Sequence, residues 1–266
     1  MAVFPVELIE NIIAHAYGEY RPLENPLVLH QCALVCRTWR TIAQSFIFSE
    51  ILLSADIPDG RLDVLRENDY LSQSVRTLWL GDNGGVDGGD DFLNLLRKVR
   101  QLYVLEDSLV MALVEGPTAE RFMGNLTSLC LEGAAIPFWA GIFYLCHSLR
   151  ELKMTESEFE FDDMENLTRD RTISRLRSLH IAGHGASRMK ILQWMLTPQS
   201  PFDLTGLTTF WASDSSDGLE SFAWIQEIVK VCAPTLQDLM VNPPTSVAVQ
   251  NPNLTSESLL SASHAG

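Results

Sequence analysis

Apolar positions along this chain follow two rhythms, a helical one near the N-terminus and a strand-like one from about residue 75 onward. Pro5 suits a first helical turn, where its missing N–H would have been unpaired anyway. Leu8, Ile9, Ile12, Ile13 and Ala16 then recur at helical spacing, and Glu7 places a carboxylate where the helix dipole favours it. Gly18 and Pro22 close this segment. A second apolar run begins after Asn25-Pro26 with Leu27, Leu29, Cys32 and Ala33. Leu34, Val35, Trp39, Ile42 and Ala43 extend it, while Arg37 and Arg40 are free to snorkel outward. About 40 residues is near the lower limit for an independent core without metal or disulfides. Such a unit is expected to bury its surplus apolar surface against another chain, or to cap one end of a larger fold.

From residue 75 a loose Leu-x-x-Leu-x-Leu motif returns seven times. It reads Val75-x-x-Leu78-x-Leu80, Val99-x-x-Leu102-x-Val104, Leu126-x-x-Leu129-x-Leu131 and Leu149-x-x-Leu152-x-Met154. It continues as Leu176-x-x-Leu179-x-Ile181, Leu207-x-x-Phe210-x-Ala212 and Leu236-x-x-Leu239-x-Val241. The alternation predicts a strand in each unit. Helical patterns lie between them: Asp91–Leu96, a segment opening at Pro137 and running to His147, then Met189/Leu192/Leu196 and Phe222/Ile225/Val229/Cys232. Strand and helix alternating at this spacing predict an α/β fold with a parallel sheet and right-handed crossovers, each unit stacking on the next. Ile51-Leu52-Leu53 offers a first strand and Leu62, Leu65 and Leu71 a short helix. The chain thus divides into helices over 1–48, a repeat array over 49–241, and a Pro/Ser/Thr/Asn-rich tail over 242–266 that is expected to be disordered.

Side chains alternate faces along a strand, so residues flanking each central apolar position point away from the core. The second flanking position reads Trp79, Tyr103, Cys130, Lys153, His180, Trp211 and Met240 from unit to unit; the first reads Thr77, Gln101, Ser128, Glu151, Ser178, Thr209 and Asp238. Aromatics and Met are enriched in interface cores. Trp79, Tyr103, Lys153, His180 and Trp211 are therefore candidates to hold a protein partner, unless a loop or the tail covers them.

Net charge is −15, which opposes phosphate backbones and disfavours nucleic acid as a partner. It favours encounter with basic proteins. No run of 18 or more apolar residues and no signal-like N-terminus are present, so neither a membrane span nor secretion is expected. Five scattered cysteines point to reduced thiols and a cytoplasmic or nuclear protein. Three Asn-Leu-Thr sequons then carry no meaning. The Gly/Asp-rich stretch 81–91 has one copy of a pattern that binds calcium only when repeated. His180 and His184 lack a general base between them and the further ligands that structural zinc requires. Cys32 and Cys36 read as buried apolar thiols. No nucleophile elbow, phosphate loop or dinucleotide fingerprint occurs. No metal, cofactor or catalytic activity is expected.

The two ends of the helical segment, Phe4-Pro5-Val6-Glu7-Leu8-Ile9 and Leu34-Val35-Cys36-Arg37-Thr38-Trp39-Arg40, together resemble an F-box. That family's pattern is Leu-Pro-x-Glu-(Leu/Ile) followed by Val-(Cys/Ser)-(Lys/Arg)-x-Trp. This chain has Phe for the first Leu and a longer loop from Tyr17 to Pro26. The repeats look like the irregular leucine-rich-repeat-like array behind many fungal-type F-boxes; the usual repeat asparagine is missing in nearly all units. The resemblance implies a three-helix F-box followed by a right-handed α/β solenoid with a parallel sheet. It further implies a substrate receptor of a Skp–cullin–F-box ubiquitin ligase, docking a Skp-type adaptor through Pro5, Leu8, Ile9, Ile12, Leu34, Val35, Cys36 and Trp39, and through the adaptor a cullin. The array would hold an unidentified substrate protein. The rival expectation is a repeat scaffold with no ligase role, its N-terminal helices serving only as a cap.

Overall fold

The computed structural model describes residues 5–19, 27–53, 60–81, 93–105, 117–137, 139–160, 173–183, 185–214 and 220–242. The Gly/Asp stretch after Gly81, His184 and the tail beyond Asn242 lie outside the described residues. The N-terminal segment folds as α1 (Val6–Glu19), α2 (Leu27–Val35) and α3 (Arg37–Ile47). The second apolar run is thus two helices. Cys36 is extended between them (φ −162°, ψ 177°), and its carbonyl accepts the first α3 hydrogen bond from Arg40 N at 2.8 Å. The break lifts Cys36 off the α2 face, so its thiol is exposed and Cys32 only half-buried, where buried thiols were expected. Ile9, Ile13, Leu29, Ile42 and Ala43 form a small core, ringed by Tyr17, Trp39, Phe46 and Ile47.

Twelve strands follow among the described residues: β1 (Glu50–Leu53), β2 (Thr77–Leu80), β3 (Gln101–Leu105), β4 (Ser128–Glu132), β5 (Ala135–Pro137), β6 (Glu151–Thr155), β7 (Glu158–Glu160), β8 (Ser174–Arg175), β9 (Ser178–Gly183), β10 (Phe202–Asp203), β11 (Thr209–Asp214) and β12 (Asp238–Asn242). Eight make one parallel sheet in the order β1-β2-β3-β4-β6-β9-β11-β12, so strand order follows chain order. The others pair as β5–β7 and β8–β10. Helices fill the crossovers: α4 (Gly60–Glu67) and α5 (Asp69–Ser72) after β1, then segments Pro117–Gly124, Trp139–Leu145, Gly185–Met195 and Glu220–Cys232. The helix Pro117–Gly124 sends Ala119, Phe122 and Met123 into the core and has no counterpart in the sequence reading. Pro137 was expected to open a helix. It ends β5 instead, paired with β7, and the helix begins at Trp139. A proline with no N–H to donate is tolerated at the end of so short a ladder.

Every unit enters the main sheet through the same corner. Arg76 N and Thr77 N both donate to Ser49 O; Arg100 N and Gln101 N both donate to Arg76 O; the pattern continues through Thr127, Arg150, Arg177, Thr208 and Gln237. This repeated corner locks the register. Leu78 faces Leu102, Leu102 faces Leu129, and so on through Leu152, Leu179, Phe210 and Leu239. These side chains, with the second apolar member of each strand, meet the crossover helices in one continuous core. Parallel sheets ordinarily have both faces covered. Here the helices take one face, and the other carries the alternate positions. Among the described residues no helix is long and apolar enough to cross a membrane.

Candidate protein-binding surfaces

Among the described residues, two surfaces carry apolar or aromatic side chains that the cores leave open. The first is on α1 and α2. The sequence of α2, Leu-Val-Leu-His-Gln-Cys-Ala-Leu-Val, is apolar nearly all round, and such helices are ordinarily buried on all sides. Yet Leu29 is its one fully buried side chain. Leu27, Leu34 and Val35 are 66%, 77% and 61% exposed, and Val6, Leu8 and Ile12 on α1 are also open. Six of the eleven large exposed hydrophobics among the described residues lie in these two helices, so the exposure is concentrated rather than scattered. Pro5 and Cys36 are exposed at its margins, while Trp39 is half-buried against the small core. Ile9 is 5% exposed. It belongs to the core and corrects the expectation of a contact residue there. Val6 and Leu27 join this surface without having been singled out. The signal for Leu27 was its place on a short helix with more apolar positions than one core contact can use.

The second surface is the sheet face away from the helices. Its register sets Trp79 beside Tyr103, Tyr103 beside Cys130, Cys130 beside Lys153, Lys153 beside His180, and His180 beside Trp211. The expected row is therefore one physical row. Trp79 and Tyr103 stack with ring centroids 3.8 Å apart and planes 12° apart; His180 and Trp211 meet edge-on at 62°. All four rings are half-buried and Lys153 is exposed, so neither indole is sealed inside. Cys130 in the middle of the row is buried. Thr77 Oγ1 donates to Gln101 Oε1 at 3.1 Å, tying the polar flank together.

Three ring nitrogens on this face, Trp79 Nε1, His180 Nε2 and Trp211 Nε1, are occluded from solvent and have no hydrogen-bond partner among the described residues. Thr155 Oγ1, two residues along β6 from Lys153 and on the same face, is equally unpaired. Thr155 was not singled out from the sequence. A buried polar atom left unpaired costs about 1–3 kcal/mol, and a ligand supplying acceptors would recover that. Burial and the neighbouring Lys153 ammonium push the His180 imidazole down to about 4, so it is neutral at pH 7. Burial pushes the Cys130 thiol up to about 11, with Lys153 opposing and Glu132 adding to the shift. That thiol is a neutral spacer rather than a nucleophile. Among the described residues the surface offers donors, aromatic area and the exposed Lys153 ammonium. No group of three His, Cys, Asp or Glu side chains gathers as a metal site among the described residues.

No protein-family model matches this sequence, and no curated protein matches it.

Proposed function

We propose that the chain is a non-catalytic receptor of the F-box type. In this reading α1–α3 dock a Skp-type adaptor and, through it, a cullin. The repeats form a right-handed leucine-rich-repeat-like solenoid whose aromatic face holds a substrate protein. The chain makes no bond itself; it raises the local concentration of substrate near the ubiquitin-loading enzyme.

One observation carries the reading: four of the six exposed large apolar side chains of α1 and α2, Val6, Leu8, Leu34 and Val35, lie in the two stretches that resemble an F-box. Fully burying a Leu or Val side chain contributes about 1.5–3 kcal/mol, so covering Leu27, Leu34 and Val35 favours docking, offset in part by the entropy cost of association. The test is affinity of the full chain for a purified Skp-type adaptor, comparing wild type with Leu34→Glu/Val35→Glu. Both side chains are exposed in the free chain, so its melting temperature should hold. Binding should weaken by roughly thirtyfold or more, as for hot-spot positions losing ~2 kcal/mol. Absence of wild-type binding, or full binding by the variant, removes this reading.

One contact favours the scaffold reading instead. Tyr17 OH donates to the Glu50 carboxylate at 2.5 Å, so the helical unit sits at the β1 end of the sheet. Natural proteins commonly cover such an edge. If the adaptor does not bind, this capping role accounts for the helices and leaves the aromatic face as the working surface.

A further inference from the structure

The net charge of −15 conceals a row of cations. The residue that opens the sheet corner is arginine in four units, Arg76, Arg100, Arg150 and Arg177, and all four are exposed. Their backbones are joined in pairs: Arg100 N donates to Arg76 O at 2.8 Å, and Arg177 N to Arg150 O at 2.7 Å. Each pair thus sits on adjacent strands, about 4.8 Å apart. Beside Arg100 lies a hollow of about 520 Å³. Arg97, Lys98, Arg100, Gln73, Asn94 and Asn125 supply donors to its wall, against one carboxylate, Asp69.

Acids outnumber Lys and Arg by 34 to 19 in this chain, yet among the described residues no carboxylate pairs with these cations. Among the described residues, carboxylate pairing is found elsewhere, at Arg66–Asp63, Arg175–Asp203 and Lys230–Glu227. Along the row the guanidinium contacts are to neutral groups: Arg76 to Gln73 O and Val75 O, Arg97 to Asn94 O, and Arg100 to Asn125 O. Among the described residues, no hydrogen bond or ion pair involves the Arg150 or Arg177 guanidinium. Like charges facing each other on neighbouring strands are destabilising. An acid-rich sequence that leaves them unpaired has kept donors free that an anion would fill.

We propose that this edge of the sheet, centred on the hollow, docks an Asp/Glu-rich segment of a partner protein. Guanidinium forks meet carboxylates in bidentate pairs. Arg76 and Arg100 occupy neighbouring corners, as do Arg150 and Arg177, with Thr127 between the two pairs, so an acidic segment laid across the corners meets two pairs of cations. At physiological salt the rest of the acidic molecule is screened beyond about 8 Å. It still opposes a long, dense polyanion such as nucleic acid, whose charge runs past the row. The site is separate from the aromatic face and needs neither the adaptor nor the ligase reading.

The test uses the full chain and a short fluorescein-labelled poly-Glu peptide, read by anisotropy, with a DNA oligonucleotide as competitor. The peptide should bind. Arg97→Gln/Lys98→Gln/Arg100→Gln should weaken it roughly tenfold, and Arg150→Gln/Arg177→Gln roughly fivefold, at the strength of exposed ion pairs. Adaptor binding should not change in either. Lack of peptide binding overturns the proposal, as does undiminished binding by the triple variant with an unchanged melt. If the triple variant fails to fold, the Arg150/Arg177 pair decides alone, since among the described residues no guanidinium hydrogen bond or ion pair is lost there. An oligonucleotide that displaces the peptide at lower concentration than unlabelled poly-Glu would reassign the row to nucleic acid.

Discussion

His180 shows how one side chain reports on its surroundings. Its folded value of about 4 lies below the ordinary 6.5, because burial and then the Lys153 charge oppose protonation. The unfolded chain therefore takes up a proton that the folded chain refuses. Stability from this residue is fully present above pH 6.5 and is lost as pH falls from there toward 4. Thermal melts over that window should show a decline that His180→Gln removes. The imidazole itself, followed by NMR, should titrate well below 6, and Lys153→Met should move it upward. An ordinary titration near 6.5 would show that the ring is solvated and that the sheet face is more open than the structure places it. Leu8 and Ile9 make a related point. They are chemically near-equivalent and adjacent, yet one is open and the other core, because α1 carries two apolar stripes. Helical spacing in the sequence identifies both stripes and cannot rank them.

Elements were legible where the pattern had a period and opaque where a neighbour decided. The main-sheet strands from Thr77 on could be read from the alternation at Leu78, Leu102, Leu129, Leu152, Leu179, Phe210 and Leu239, because a buried face imposes period two. The aromatic row followed from the same rule. The arginine row was equally visible, since Val75-Arg76, Val99-Arg100, Leu149-Arg150 and Leu176-Arg177 occupy one repeat position, but the net charge masked it. The helix Pro117–Gly124 was hidden because its buried residues, Ala119, Phe122 and Met123, are too few to set a period. The break at Cys36 and the strand ending at Pro137 depend on tertiary packing and pairing. Gly183 is another such position. It closes β9 with φ 140°, and a Cβ there would meet Glu156 N at 3.0 Å and Glu156 Cα at 3.1 Å. Glu156, itself at φ 52°, is pinned by its N–H to Ala182 O at 2.9 Å, so the backbone has little room to yield. Gly183→Ala should cost about 1–3 kcal/mol, a drop of several degrees in melting temperature for a chain of this size. An unchanged melt would mean that the β6 turn relaxes freely.

At the scale of the whole molecule, the two cores differ in what they can sustain. The sheet core is continuous from Ile51 to Val241 and is shared by every strand of the main sheet and its crossover helices. The helical core has five buried side chains, one of them an alanine. A core of that size yields little beyond the conformational entropy of the residues it orders. Its ties to the sheet include the Tyr17–Glu50 hydrogen bond and a long Tyr70–Thr41 contact at 3.5 Å. Local opening should therefore begin in α1–α3. In hydrogen exchange of the full chain, amides of Ile13, Leu29 and Ile42 should exchange faster than those of Leu102, Leu129, Leu152 and Leu179. A partner that binds only the folded helices stabilises them by mass action, by about 2.7 kcal/mol at a hundredfold excess over its dissociation constant. Adding a Skp-type adaptor should slow exchange in α1–α3 and leave β3, β4, β6 and β9 unchanged. Helices as protected as the sheet before any addition would show that the exposed apolar face imposes no cost on the free chain. The scaffold reading, with the helices as a permanent cap, would then be the stronger one.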